Sequence, residues 1–127
     1  MKFEVQKKEH YTIFKLVEEK LDSRISPDVK SEFVQLNTNG VVNLIFDMSE
    51  VKYADSSGLS SILTANRLFS NDDRGMFVMC NITSHVEKLI KISQLDTVLT
   101  ILPTLEESVE HIHMHVIEKE LKDPSDN

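Results

Sequence analysis

Strand-length apolar runs alternating with helix-period patterns constrain this chain more than any other feature. Val41 to Phe46 is nearly continuously apolar and bounded by turn chemistry, as a central strand covered on both faces must be. Met76 to Cys80 is a second buried run, and Thr97 to Leu102 is a shorter one ended by Pro103. A helix pattern follows each. The first runs from Ser56 to Phe69, with Leu59, Ile62, Leu63 and Phe69 on one side. The second opens at Ser84, with Glu87 at capping-box spacing and Val86, Leu89 and Ile90 facing inward. The third opens at Thr104 with Glu107 and carries Leu105, Val109, Ile112 and Val116 on one stripe. Strands that alternate with helices need crossover connections, so the pattern predicts an α/β domain.

The first 40 residues fit the same plan. Phe3 to Lys7 and Tyr11 to Val17 read as two strands joined by a polar turn around Lys8, Glu9 and His10. In the second strand, Thr12, Phe14 and Leu16 share one side and Tyr11, Ile13 and Val17 the other, so something covers part of each face. Ser26-Pro27-Asp28 predicts a helix start: a capping hydroxyl, a proline at the first helical position and an acid facing the positive end of the dipole. Val29, Phe33 and Leu36 then make one stripe, and Asn37-Thr38-Asn39-Gly40 stops the helix. With 127 residues, no repeat and no linker, residues 1–121 are expected to form a single domain, and 122–127 a disordered polar tail.

Charge and cysteine content narrow the function classes. The chain has 14 basic and 21 acidic residues, a net charge of −7, and no basic cluster in sequence, so direct binding of nucleic acid is not expected. The one cysteine, Cys80, excludes an intramolecular disulfide and a multi-cysteine metal knuckle and fits a reducing compartment. The opening MKFEVQKKEH has no apolar run of signal-peptide type. The longest apolar stretch, Val41 to Met48, is broken by Asn43 and Asp47, far short of the roughly 20 residues that span a membrane. These features predict a cytoplasmic domain, not inserted in a membrane, whose partners are proteins.

Phe46 to Leu59 is the segment able to carry chemistry. It runs from the carboxyl end of a buried strand into a helix start, where free N–H groups and a partial positive charge suit a phosphate. Ser56 and Ser57 put two hydroxyls there, and Gly58 lets another surface approach closely. On residue chemistry alone, the favoured reading is that Asp55 or Ser56 serves merely as a helix cap. A serine hydrolase is not expected, because Ala54 stands where the nucleophile elbow needs glycine for Ser56, and no histidine lies in a segment predicted to reach this helix start. His111, His113 and His115 with Glu107 and Glu118 have helical spacing for a metal, but they fall on the polar side and lack a further ligand, so no metal is expected. Met76 and Met79 read as core residues, and Asn71-Asp72-Asp73 lacks the ligand spacing of a calcium loop.

The run Asp47-x-Ser49-x-Val51-x-x-x-Asp55-Ser56-Ser57-Gly58-Leu59 resembles the signature of the STAS domain family, and most of all that of the small bacterial anti-sigma factor antagonists. Leu21-Asp22 stands where these carry Glu-Leu-Asp. Arg74 to Cys80 resembles their glycine-led strand, and Ile82 to Leu89 their next capped helix, so the likeness extends from Phe3 to Val116. Two positions depart from the pattern: Glu19-Lys20 replaces the usual Gly-Glu, and Ser60 stands where a second glycine is common.

The resemblance implies an α/β STAS fold, a mixed sheet of four or five strands with about four packed helices. It implies a non-enzymatic anti-sigma factor antagonist that needs no cofactor of its own. The unphosphorylated form would bind an anti-sigma factor that is also a serine-protein kinase, freeing a sigma factor. Phosphorylation of Ser56 would end that binding, and a serine phosphatase would reset it. Asp22, Asp55, Ser56, Ser57, Gly58 and Leu59 would form the partner surface. The alternative within the family is a STAS subunit or adaptor of a membrane transport complex, bound to the transporter ATPase.

Overall fold

Residues 1–70 and 74–122 are described by a computed structural model. Along the chain come β1 (Phe3–Lys7), β2 (Thr12–Leu16), β3 (Lys20–Leu21), α1 (Ser26–Thr38), β4 (Asn43–Asp47), β5 (Tyr53–Ala54), α2 (Ser56–Ser70), β6 (Met76–Cys80), α3 (Ser84–Ile92), a 3-10 turn (Leu95–Thr97), β7 (Thr100–Leu102) and α4 (Leu105–Lys122). Five strands build one mixed sheet in the order β1-β2-β4-β6-β7. The β1–β2 hairpin is antiparallel, with Phe3 opposite Leu16, and the remaining neighbours are parallel. With four helices packed on it, this is the α/β architecture the alternating pattern predicts.

The pleat divides the core in two. Phe14, Leu16, Leu44, Phe46, Phe77 and Met79 point to one face, where they meet Val29, Phe33 and Leu36 of α1, Ile62, Ala65 and Phe69 of α2, and Val86 and Ile90 of α3. Phe14, Phe33 and Phe46 pack edge to face at centroid distances of 5.1 to 5.7 Å, the preferred geometry for aromatic quadrupoles. Ile13, Ile45, Val78 and Cys80 point to the other face, which α4 covers with Ile112, Leu105, Val109 and Val116. The central strand β4 is buried at all five positions, hence the apolar Leu44-Ile45-Phe46 at its centre, with the buried polar residues Asn43 and Asp47 at its ends.

The structure corrects several local expectations. Ser26 does not cap α1: the residue before the helix is Ile25, and the Ser26 hydroxyl donates instead to the Asp22 carbonyl at 2.8 Å. Ser84 does not cap α3 either. Thr83 is the last extended residue, its hydroxyl donates to the Val51 carbonyl at 2.8 Å, and Glu87 pairs with Lys91 at 3.0 Å. Thr104 does cap α4, accepting from the Glu107 N–H at 3.1 Å. The strand expected over Thr97 to Leu102 shrinks to Thr100–Leu102, because Leu95–Thr97 closes a 3-10 turn. A second, two-stranded sheet, β3 with β5, was not foreseen; two residues per strand carry no periodicity to read. Lys122, the first residue of the expected tail, ends α4, while residues 123–127 and the loop Asn71-Asp72-Asp73 lie outside the described residues.

Gly75, which leads into β6, has no room for a side chain: a Cβ there would lie 1.9 Å from the Val42 carbonyl oxygen. Gly75→Ala should therefore force the α1–β4 connection and β6 apart and cost about 1–3 kcal/mol. The expected outcome is a lower midpoint in urea denaturation with an unchanged slope.

Candidate functional site

The site is built from the ends of β3 and β4. At the carboxyl end of β4, Asp47 Oδ1 accepts from the Ser49 N–H at 3.0 Å and from Asn81 Nδ2 at 3.2 Å, which turns the chain out of the sheet. Asp47 and Ser49 of the motif thus shape the connection. Met48 and Val51 are fully buried and pin it. The N–H groups of Lys52 and Tyr53 donate to the Glu19 carbonyl at 2.8 and 3.0 Å, and pairing of β5 with β3 delivers Asp55 to the start of α2.

Asp55 is the helix cap. Its Oδ1 accepts from the Gly58 N–H at 3.0 Å and from the Ser57 hydroxyl at 2.6 Å. Those bonds, the Ser57 hydroxyl first and then the Gly58 N–H, hold its carboxyl below the ordinary 3.8, against burial and the nearby Asp22 charge. Asp22 is gripped by the Arg24 guanidinium, with Nη2 at 2.9 Å and Nε at 3.2 Å from its oxygens, which lowers its pKa as well. The Asp22 backbone carbonyl takes the Ser26 hydroxyl, and Ser26 Oγ lies 3.4 Å from Ser57 Oγ. Gly58 packs on Leu21: a Cβ there would lie 2.3 Å from the Leu21 carbonyl oxygen.

The first turn of α2 therefore brings Asp22, Asp55, Ser57 and Gly58 together, and leaves Ser56 exposed, with no hydrogen bond to its hydroxyl among the described residues. Between the two capping readings left open by the sequence, Asp55 is the cap and Ser56 is not. Leu59 differs from the expectation of a surface contact: it is 8% exposed and belongs to the main core. Arg24 and Ser26 were missed, although Asp22-x-Arg24 has the spacing of a local carboxylate–guanidinium turn. A histidine does reach this end of the molecule: His85, opening α3, stacks on the half-exposed Tyr53 at 5.0 Å.

Chemically, the site offers one accessible hydroxyl at the positive end of a 15-residue helix. The carboxylate that could serve as a base is already bonded to Ser57, so Ser56 is placed to receive a group and not to attack unaided. Elsewhere, burial pushes the Cys80 thiol up to about 11, which leaves it unreactive. Among the described residues no three His, Cys, Asp or Glu side chains converge on a metal arrangement. His115, expected on the solvated face, is half-buried, and His113 packs edge-on against His10 and Tyr11. No described helix is long and apolar enough to cross a membrane.

A family model described as STAS domain matches residues 2–108. Among solved structures, the chain is similar to an anti-sigma factor antagonist from Mycobacterium paratuberculosis, 15% identical over 88% of this chain and 93% of that one, with a TM-score of 0.79. It is similar to the Bacillus cell fate determinant SpoIIAA in its phosphorylated form, 18% identical over 87% and 99% of the two chains, TM-score 0.66. It is also similar to part of the murine solute carrier 26 family member A9 anion transporter, 16% identical over 86% of this chain but 18% of the transporter, TM-score 0.70. At these identities the likeness is one of fold. No curated protein matches in sequence.

Asp55→Ala removes the cap and frees Ser57, and should cost about 1–2 kcal/mol in urea denaturation. Because the folded pKa is depressed, the stabilisation from the Asp55 charge is complete above the ordinary value of 3.8 and is lost as the pH falls through the lower folded value. Asp55→Asn, which keeps an acceptor for the Gly58 N–H, should flatten that part of the acid limb while changing neutral-pH stability less than Asp55→Ala does.

Proposed function

Because the chain belongs to the STAS domain family, we propose that it acts as an anti-sigma factor antagonist whose choice of partner is set by phosphorylation of Ser56. The observation that carries this reading is the division of labour in the first turn of α2: Asp55 caps the helix and engages Ser57, while Ser56 stays exposed and unbonded. Likeness to SpoIIAA, a protein with a phosphorylated form, supports the same assignment. In the unphosphorylated state the protein binds an anti-sigma factor, itself a serine-protein kinase, and a sigma factor is released. ATP sits on the kinase. A serine phosphatase restores the binding state in the cytoplasm.

The physics of the switch follows from where the charge lands. A phosphoserine adds about −1.5 to −2 at pH 7. The helix N-terminus accommodates it, so the fold persists. A partner covering Ser56 instead buries that charge next to Asp22 and Asp55, where the Asp22 charge is already offset by Arg24. Inverting a 1:99 equilibrium takes about 5.5 kcal/mol. Desolvating an unpaired dianion is of that scale. The likeness to part of an anion transporter favours a second reading, a STAS subunit or adaptor of a membrane transport complex. In that reading Ser56 phosphorylation is not required for partner choice.

With its kinase and ATP the protein should gain one phosphate, on Ser56 in the phosphopeptide map. Ser56→Ala should abolish the gain, keep anti-sigma factor binding in calorimetry, and leave the melting temperature unchanged, since Asp55 is the cap. Ser57→Ala should lower phosphorylation less. Ser56→Asp should keep native circular dichroism and weaken binding strongly. A phosphate mapped to Ser57, Thr83 or Ser84 overturns the acceptor assignment. Equal binding by Ser56→Asp and the parent protein moves the adaptor reading ahead.

A further inference from the structure

At the end of the sheet opposite Ser56, the first residues of β2 and β4, the β1–β2 turn, the α1–β4 connection and the last turns of α4 enclose a cavity of about 430 Å³, within the roughly 300–1,000 Å³ of small-ligand pockets. Its lining is cationic in a chain of net charge −7: Lys7, Lys8, Arg74 and Lys119 stand against Glu9 and Glu120. Part of that charge has a structural origin, because α1 and α4 both end here and cations complement helix carboxyl termini. The dipoles do not explain His115. His115 lines the cavity on α4, and its Nε2, just beneath that wall, is buried with no hydrogen-bond partner among the described residues. A buried polar atom left unpaired costs folding free energy, so His115 Nε2 gains from any acceptor that enters the cavity.

We propose that this cavity binds a small molecule carrying a phosphate group, with the lysine ammonium groups as donors to the phosphate oxygens and His115 Nε2–H joining them once the imidazole turns toward the cavity. A phosphate alone fills only a fraction of the space. Tyr11, Val42 and Val116 line the rest and suit an apolar or aromatic body. The walls are held for this. Asn43 Nδ2 donates to the His10 carbonyl at 2.8 Å, and Asn43 Oδ1 accepts from the Met76 N–H at 3.0 Å, tying the hairpin turn to β4 and β6. The site is remote from Ser56, so it stands or falls independently of the proposed switch.

The test is NMR titration of the full chain with inorganic phosphate and with phenyl phosphate, at constant ionic strength. Saturable shifts of the His115 imidazole nitrogens and of amides in residues 7–12 and 39–43 are expected, in the millimolar range for phosphate and tighter for phenyl phosphate. Lys119→Ala and Lys7→Ala, on accessible side chains, should each weaken binding about tenfold while circular dichroism stays native. His115→Ala should do the same. Shifts that do not saturate, or that both lysine variants leave unchanged, overturn the proposal. So does sedimentation with phosphatidylglycerol vesicles that the lysine variants abolish, which would make this end a membrane-contacting surface and not a site for a free phosphoester.

Discussion

Residue 58 can carry no side chain, because a Cβ there would lie 2.3 Å from the carbonyl oxygen of Leu21. That contact decides how close the first turn of α2 comes to the turn before α1. The rest of the site depends on the distance it sets. With the helix pressed on Leu21, the Asp55 N–H reaches the Leu21 carbonyl at 3.4 Å and β5 pairs with β3. Ser57 and Ser26 come within 3.4 Å of each other, and the Asp22 and Asp55 carboxylates sense each other's charge. A wider spacing would break the parallel β3–β5 pairing and leave the Asp55 cap without the backbone that positions it. The departure at Glu19-Lys20 is accommodated because the connection is held through the Glu19 carbonyl, by the Lys52 and Tyr53 N–H groups, and a carbonyl belongs to any residue; the Glu19 carboxylate adds an exposed ion pair with Lys52 at 3.2 Å.

The two ends of the sheet differ electrically for one reason. In this topology every helix returns antiparallel to the parallel strands, so helix N-termini gather at the strands' carboxyl ends and helix C-termini at their amino ends. Asp55 takes up the first, and Lys7, Lys8 and Lys119 collect around the second. A group added at Ser56 enters the end where the backbone is positive but the side chains Asp22 and Asp55 are negative. The domain tolerates such a group through the helix, and an approaching surface meets it through the side chains.

What the sequence made legible follows from length scales. β4 and β6 are buried strands with apolar residues on both faces, and the stripes of α1, α2 and α4 repeat over several turns, so their patterns stand clear of noise. Asp55-Ser56-Ser57-Gly58 pointed to the right helix start, but could not say which side chain caps it, since either fits. The caps at Ser26 and Ser84 failed because a serine hydroxyl has several backbone acceptors within reach, and the turn before α1 put the Asp22 carbonyl beside one, while Thr83 preceded the other. β3 and β5 are two residues each and exist only through each other. His85 beside Tyr53 and His115 in its cavity are products of chain return, which no local window contains.

Separating the cap, Asp55, from the exposed hydroxyl of Ser56 bears on how the site can change. If one serine both capped α2 and received the phosphate, modification would alter helix stability and surface charge together, and binding and unfolding would be coupled. Here the Asp55 carboxylate, held ionised by the Ser57 hydroxyl and the Gly58 N–H, keeps the first turn formed whatever happens at residue 56. The hydroxyl of Ser57 is the element that links the two positions, since it both lowers the Asp55 pKa and lies next to Ser56. A change at Ser57 would loosen Asp55 and Ser26 at once, whereas a change at Ser56 touches neither. The helix start is thus a fixed platform with one free position on it, which is the physical condition for a surface whose charge can be altered without altering its shape.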